Sequence, residues 1–399
     1  MNGPLIIAHV MGYYMPGLGY QENCLPFAQA ELGHQVHIIT GDRFVSHPAY
    51  EKLFAPRFGS RYVKSGMSVE RDVTVHRLPV RFELKRRNNP WLSGSTELLA
   101  CLGADVVHLH GVTPLSSLAV MFSSASRRHA LVCDHHLCRF NLDPFTPLKR
   151  AYYACFRNLG AEPAKKRVKA WLPINGDAEE VLETVLGING PNVQISRLGV
   201  DPQVFRRDAE VGKAWRIRHG LPLDTPVVVH AGKLEPRKEV AILIEGFAAA
   251  FKDSGERLLI AGDGDERYIG TLRALADDLG LGDRAVFLPF QPHHALPALF
   301  NAADVGVWPG DGSITIFEAL GCGLPVALAS DPGLDYIGIR IGAGEFTRGS
   351  ADQLAALLPE LVRRDEARRH QIASVCAETL SWRAIAEETI ALYRRVVES

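Results

Sequence analysis

The segment Ala231-Gly232-Lys233-Leu234-Glu235-Pro236-Arg237-Lys238-Glu239 sets Lys233, Arg237 and Lys238 within six residues. It follows a short apolar run, Val227–Ala231, and opens an apolar helical stretch, so these cations stand at the carboxyl end of a predicted strand. A diphosphate needs compensating positive charge, and two lysines five residues apart can reach one from a single loop. The plain alternative is a solvated charged turn. A second segment runs from Trp308 to Pro325. A predicted strand ends at Trp308, the small residues Gly310-Asp311-Gly312-Ser313 let the chain turn closely, and a helix begins near Ser313. The free N–H groups and the dipole at such a helix start favour phosphate. Glu318 lies one to two turns further on, where a carboxylate can accept hydrogen bonds from the hydroxyls of a ribose; the alternative is an exposed helical glutamate.

A third set is Asp105, His108, His110, Asp134, His135 and His136, two clusters at the ends of predicted neighbouring strands. His and Asp are common metal ligands, but neither cluster has a helix-borne HExxH pattern, and the reading adopted is histidines lining a ligand cleft, with no metal. Asp134 or Glu22 is a candidate general base. Phe287-Leu288-Pro289-Phe290 ends another strand and by itself reads as an ordinary core strand end. Tyr152, Tyr153 and Phe156 precede Lys165, Lys166, Arg167 and Lys169; aromatics beside cations dock on anionic lipid, though charge runs are more often solvated.

The elements that must position these residues alternate strand, loop and helix, which implies crossover units and parallel sheets. Predicted strands are Leu5–Val10, Val36–Thr40, Val106–His110, Leu131–Asp134 and Ala170–Ile174, then Val227–Ala231, Leu258–Ala261, Ala285–Leu288, Val305–Trp308 and Leu324–Ala327. Predicted helices include Gln21–Leu32, Val240–Phe251, Ala351–Arg364 and Trp382–Val397. With 399 residues, 47% hydrophobic and 22% charged, the chain has the composition of a globular protein of two or three domains. Two doubly wound α/β domains are expected, with a boundary near residues 197–206: residues 1–200, residues 201–378, and a C-terminal helix, 379–399, that packs back on the first domain. Ligands of such sheets bind at the carboxyl ends of the strands.

Charge is uneven. Residues 1–200 hold 22 Lys and Arg against 16 Asp and Glu, and the remainder holds 22 against 29. The net charge of -1 excludes a general attraction to nucleic acid or membrane. Seven scattered cysteines without CxxC spacing read as a reduced, cytoplasmic set. The start, Met1 to Ile7, has no charged and apolar signal pattern, and no apolar run nears the roughly 20 residues that cross a bilayer.

Taken together the motifs resemble the retaining GT-B glycosyltransferases of glycosyltransferase family 4, over nearly the whole chain. The resemblance rests on Pro16-Gly17-Leu18-Gly19 and Gly33-His34-Gln35-Val36, on Asp105 to His110, on Gly199-Val200-Asp201 with Phe205, on Gly232–Lys238, on Gly262-Asp263-Gly264 and on Phe317–Pro325. It implies two Rossmann-like domains facing across a cleft, closing about the 197–206 linker, and a cytoplasmic enzyme that binds a nucleotide sugar. The sugar passes with retention to a hydroxyl of a sugar, glycolipid or lipid-linked acceptor in envelope polysaccharide or glycolipid assembly, with peripheral membrane contact and neither metal nor separate cofactor. By position, Lys238 and Lys233 match the diphosphate-binding pair, with lysine at 233 where arginine is usual. Glu318 matches the ribose-binding glutamate, Gly17 and Gly19 the glycine loop, and His110 the histidine beside the reacting sugar, while His135 or His136 would meet the acceptor. Gly312, Ser313 and Ile314 would line the donor, and Phe287-Leu288-Pro289-Phe290 would be the edge that meets a nucleobase, with Phe290 packing nearby. The family's first glutamate falls on Gly310, with Asp311 adjacent as its substitute. The rivals are a nucleotide-sugar epimerase of similar fold and a non-catalytic sugar-nucleotide-binding protein.

Overall fold

The computed structural model describes residues 3–47, 50–84, 89–142, 145–252, 254–330, 343–363 and 365–399. The chain divides into two compact units, Met1–Arg197 with Trp382–Ser399, and Leu198–Ser381.

Unit 1 contains β1 (Ile6–Val10), β2 (Gln35–Gly41), β3 (Gly66–Glu70), β4 (Val73–Leu78), β5 (Val80–Leu84), β6 (Asn89–Leu92), β7 (Val106–His110), β8 (Ala130–His135) and β9 (Val168–Pro173). Seven of them form one sheet in the order β3-β4-β2-β1-β7-β8-β9, parallel except for β3, and β5 pairs with β6. Successive side chains of a strand point to opposite faces. Ala8, Val10, Val107 and Leu109 therefore join one core layer, and Ile7, Val106 and Val132 the other. The second layer is closed by Ile390, Leu392, Tyr393 and Val396 of the helix Trp382–Glu398, which lies against the helix Gln21–Glu31. The same alternation puts His9, His108, His110 and Asp134 on that second face. Register completes the cluster: His9 stands beside His108 and His110 beside Asp134.

Unit 2 contains β10 (Val227–Ala231), β11 (Arg257–Ala261), β12 (Ala285–Leu288), β13 (Val305–Trp308), β14 (Val326–Ala329) and β15 (Gly344–Phe346), all parallel, in the order β12-β11-β10-β13-β14-β15. The apolar runs of four and five residues are buried on both faces, as parallel strands covered by helices must be. Two loops at the carboxyl edge meet backbone to backbone. Leu234 N–H donates to Asp263 O at 2.9 Å. A Cβ on Gly262 would lie 1.9 Å from Gly232 O, and one on Gly264 would lie 2.0 Å from Leu234 O. The Gly-Asp-Gly triplet is thus required by loop packing. Because the obstacle is backbone, Gly262→Ala should destabilise unit 2 by about 3 kcal/mol and lower its melting temperature by roughly 6–12 °C, measured by thermal denaturation.

The elements depart from the sequence reading in a few places. The strand expected at Leu324–Ala327 starts two residues later, at Val326, because Gly323 takes φ +67° and the chain has not yet straightened. The helix expected over Ala351–Arg364 covers Ala351–Leu361; Arg364, like Met1 and Asn2, lies outside the described residues.

Candidate functional site

In unit 2, β10 ends at Ala231, and the chain passes through an exposed Lys233 and a one-turn 3₁₀ helix, Pro236–Lys238, into the helix Val240–Ala250. Glu239 makes the junction with φ +51°, a left-handed conformation rare for a non-glycine residue, and such strain gathers at functional loops. The turn swings Lys238 inward. Its side chain is buried, and Nζ donates to Asp311 O and Gly312 O, both at 2.7 Å. Burial, then the charge of Arg237, brings the ammonium down to about 8; Lys233 repels it further.

Those carbonyls lead into the helix Ile314–Gly321. Its start is tied to β10: Thr315 Oγ1 donates to Ala231 O at 2.9 Å, Trp308 Nε1 reaches the same oxygen at 3.1 Å, and Ser313 Oγ lies 2.8 Å from Thr315 Oγ1. Ser313 makes no side-chain cap, so the first helical N–H groups have no partner from it. Glu318 sits one turn along, 3% exposed. Its Oε1 is 2.9 Å from His293 Nε2, and its Oε2 is buried with no hydrogen-bond partner. A buried bare carboxylate oxygen costs stability unless something fills it. His293 packs edge-on against Phe205 at 5.0 Å. Sequence reading missed His293; the Pro292-His293-His294 run after β12 gives no local sign that one of its rings reaches Glu318.

Asp311 is fully engaged. Arg348 Nη2 approaches Oδ1 at 2.9 Å and Arg237 Nη1 approaches Oδ2 at 3.4 Å, while Arg348 also pairs with Glu239 at 2.6 Å. Gly310 has no room for a side chain: a Cβ there would lie 2.3 Å from Arg237 O and under 3 Å from the Lys238 backbone. The structure brings Lys233, Lys238, Gly312, Ser313, Ile314 and Glu318 to one edge and leaves Phe290 67% exposed.

In unit 1, Gly17 is exposed and Gly19 half-buried in the loop after β1. Arg57 Nη2 donates to Gly17 O at 3.1 Å, adding a cation that sequence reading did not find. His110, the last residue of β7, is buried, with Nδ1 2.6 Å from Asp134 Oδ2. His108 Nε2 and His136 Nε2 approach the same oxygen at 3.3 Å; none of the three nitrogens, His110 Nδ1 included, meets it at hydrogen-bonding angles. Gly111 N–H donates to the other oxygen at 2.8 Å. Burial opposes charge on Asp134, but His110 and His136 hold its carboxyl well below the usual range. Burial alone would discharge His136, yet Asp134 raises it to about 9. Burial brings His135 down to about 3; that ring is 2% exposed, whereas His136 is half-buried.

Among the described residues, His108, His110 and Asp134 each bring one ligand atom within 4.8 Å of the others. These residue types suit a transition metal. The His108 and His110 rings, however, are parallel within 3° at a centroid distance of 4.7 Å. An ion lies in the plane of each imidazole that ligates it, and stacked planes share no such point. The stacked rings fit a shared ion poorly; the cluster is held as close ion-pair contacts about Asp134.

Further along unit 1, Phe156 is buried in the core and Arg167 hydrogen-bonds the carbonyls of Ser126 and His129, so two members of the aromatic and basic run face inward. Leu148 and Leu159 are exposed instead, 70% and 73%. No described helix is long and apolar enough to cross a membrane. Among the described residues the seven cysteines form no disulfide with one another.

Against known proteins, residues 212–375 match the family described as glycosyl transferases group 1. The D-inositol 3-phosphate glycosyltransferase of Mycobacterium bovis (strain BCG / Pasteur 1173P2) is 32% identical over 233 residues, 55% of this chain and 47% of that protein. The chain thus spans about half the length of the curated relatives it matches. Among solved structures, sucrose-phosphate synthase from Thermosynechococcus elongatus superposes with a TM-score of 0.69 at 18% identity, covering 99% of both chains. The catalytic domain of starch synthase IV from Arabidopsis thaliana, bound to ADP and acarbose, gives 0.70 at 14%, covering 100% of both. The match to the group 1 family lies within unit 2, and the fold is GT-B, with two Rossmann-like domains. The glycosyltransferase resemblance read from the motifs is borne out.

Proposed function

We propose that the protein transfers a sugar from a nucleoside diphosphate sugar, held by unit 2, to a hydroxyl of an acceptor held by unit 1. The observation that carries this reading is the pairing on one edge of a buried ammonium, Lys238, and a buried, unpartnered carboxylate oxygen, Glu318 Oε2, on either side of an uncapped helix start. The first and the helix N–H groups suit a diphosphate; the second suits the hydroxyls of a ribose. The ADP-bound neighbour and the relative named for inositol 3-phosphate support the same class of donor and a polar acceptor.

The transfer is a retaining one. The bond from the anomeric carbon to the β-phosphate oxygen breaks, the acceptor oxygen bonds that carbon on the same face, and the acceptor proton passes to the departing phosphate. Lys238, Lys233 and the helix start stabilise the leaving diphosphate, a task for which other enzymes use a divalent cation. On this reading Gly17, Gly19 and His110 of unit 1 serve the reaction, and His135 or His136 serves the acceptor. The acceptor class is a sugar or lipid-linked sugar, and exposed Leu148 and Leu159, followed in the sequence by Lys165 and Lys166, would give unit 1 a peripheral contact with anionic lipid.

A thermal-shift screen tests this reading. Nucleoside diphosphates and their sugars should raise the melting temperature of the full chain, and the matching monophosphates should raise it far less. Turnover of the preferred donor with sugar acceptors should keep the anomeric configuration by NMR. An isomerised donor would make the protein an epimerase, and binding without turnover would make it a binding protein.

A further inference from the structure

His293 Nε2 lies 2.9 Å from Glu318 Oε1. An ionised carboxylate only accepts, so this nitrogen carries the proton and donates. Three features aim the ring. Pro292 leads in with its restricted φ, here -64°. The 3₁₀ turn His293–Ala295 is closed by Ala295 N–H, which donates to Pro292 O at 2.8 Å. Phe205, itself buried, meets the imidazole at 5.0 Å with the two planes 71° apart. Phe205 is fixed in turn: its N–H donates to Asp201 O at 2.8 Å, and it lies so close to the end of the Glu318 helix that a Cβ on Gly321 would stand 2.9 Å from Phe205 O. The Gly199-Val200-Asp201 segment with Phe205 therefore reaches the site through His293.

The pair is poorly built for stability alone. The Glu318 side chain is 4% exposed, against 48% for His293. Oε1 has its donor, while Oε2 is buried with none. Buried carboxylates are ordinarily bonded at both oxygens, and an apolar side chain of similar volume is often no less stable than a buried ion pair. A half-satisfied carboxylate is the arrangement left when a ligand supplies the second donor. Holding Oε1 from outside the helix also fixes where Oε2 stands, so the acceptor does not have to be ordered when the ligand arrives.

We propose that His293 is a positioning residue that sets the preference for a ribonucleotide: by holding Glu318 Oε1 it presents Oε2 as a preformed acceptor for a ribose hydroxyl, and a nucleotide without those hydroxyls forfeits the bond. The inference rests on the donor reading given above, in which Glu318 meets the ribose. Its own content is that the discrimination depends on the N–H of a residue from another element, and not on Glu318 alone.

The test is a cycle between residue and ligand. Calorimetry on the full chain compares the diphosphates of adenosine, guanosine and uridine with their 2′,3′-dideoxy forms, for wild type, His293→Phe and His293→Gln, with thermal melts to show that each is folded. Phenylalanine keeps a ring against Phe205 and removes the donor; glutamine places an amide N–H at the same reach. Wild type should bind its preferred ribonucleotide about 10- to 150-fold more tightly than the dideoxy form, the worth of one hydrogen bond to a charged group. In His293→Phe that ratio should fall by more than about threefold, through the ribonucleotide and not the dideoxy form, and His293→Gln should retain it. Should the phenylalanine variant fail to melt cooperatively, His293→Asn, whose amide ends one atom short, takes its place. A ratio unchanged in the donorless variant, even if both ligands weaken together, or a glutamine variant no better than phenylalanine, would overturn the proposal and leave Glu318 as the ribose residue. Wild type that shows no preference for the ribonucleotide, or binds none of the three, would overturn it together with the donor reading.

Discussion

Lys238→Ala should cost the protein its affinity for nucleoside diphosphates. Each charge-assisted hydrogen bond is worth about 1.5–3 kcal/mol, so losing an ammonium that meets one phosphate oxygen weakens binding roughly 10- to 150-fold. Calorimetry on the full chain reads this directly, and an affinity within twofold of wild type would remove Lys238 from the site. The lysine also holds the carbonyls of Asp311 and Gly312. A thermal melt of the variant therefore accompanies the titration, since a loosened turn lowers the melting temperature whereas loss of the charge alone does not.

The same lysine sets a pH dependence. In the folded protein its proton leaves near pH 8, below the ordinary 10.5 of an unfolded chain. Between those values the unfolded state binds more protons, so stability from this group rises with pH, opposite to the effect of a lysine that has gained a carboxylate partner. Diphosphate binding needs the proton. Affinity should therefore be flat below pH 7 and fall above about 8, by up to tenfold per unit. A flat profile through pH 9 would show that binding does not use this proton.

Gly310→Glu should abolish donor binding and destabilise unit 2, although it restores the residue that the family resemblance leads one to expect. The Cβ of any replacement meets Arg237 O at 2.3 Å and the Lys238 backbone. Those atoms cannot rotate away. Relief requires shifting the turn that aims Lys238, so one substitution damages the loop fold and the cation together, at about 3 kcal/mol or more. Gly310→Ala should behave similarly, because the first carbon makes the clash. If the glutamate variant melts like wild type and binds a nucleoside diphosphate equally well, the close approach of the two loops is wrong. Asp311 does not simply take over for the missing carboxylate, since Arg348 and Arg237 occupy both of its oxygens.

The cation loop and the Trp308–Pro325 segment were legible because a parallel strand buried on both faces announces itself as an apolar run, and the residues just past it lie at the carboxyl edge of the sheet. The cluster on β1, β7 and β8 was half legible. His108, His110 and Asp134 follow from strand alternation, but Tyr393 reaches His108 from a helix elsewhere in the chain, and no local pattern marks such contacts. Arg348 is the same case in unit 2, more than 100 residues from the Glu239 it pairs with. Strand β3 escaped notice for another reason. Gly66-Met67-Ser68-Val69-Glu70 is almost wholly exposed, so burial left no hydrophobic signature there. The helix Glu366–Thr379 was missed because its Arg369 is buried, donating to Ala303 O and Phe300 O, and a buried arginine breaks the apolar stripe by which a helix is recognised.

A crystal structure of the full chain soaked with its preferred nucleoside diphosphate bears most directly on the account. The β-phosphate should lie on Lys238 Nζ and the N–H groups at the start of the helix Ile314–Gly321, with the ribose hydroxyls on Glu318 Oε2. A nucleotide bound elsewhere, with Glu318 Oε2 still bare and Lys238 still on the carbonyls of Asp311 and Gly312, would contradict it.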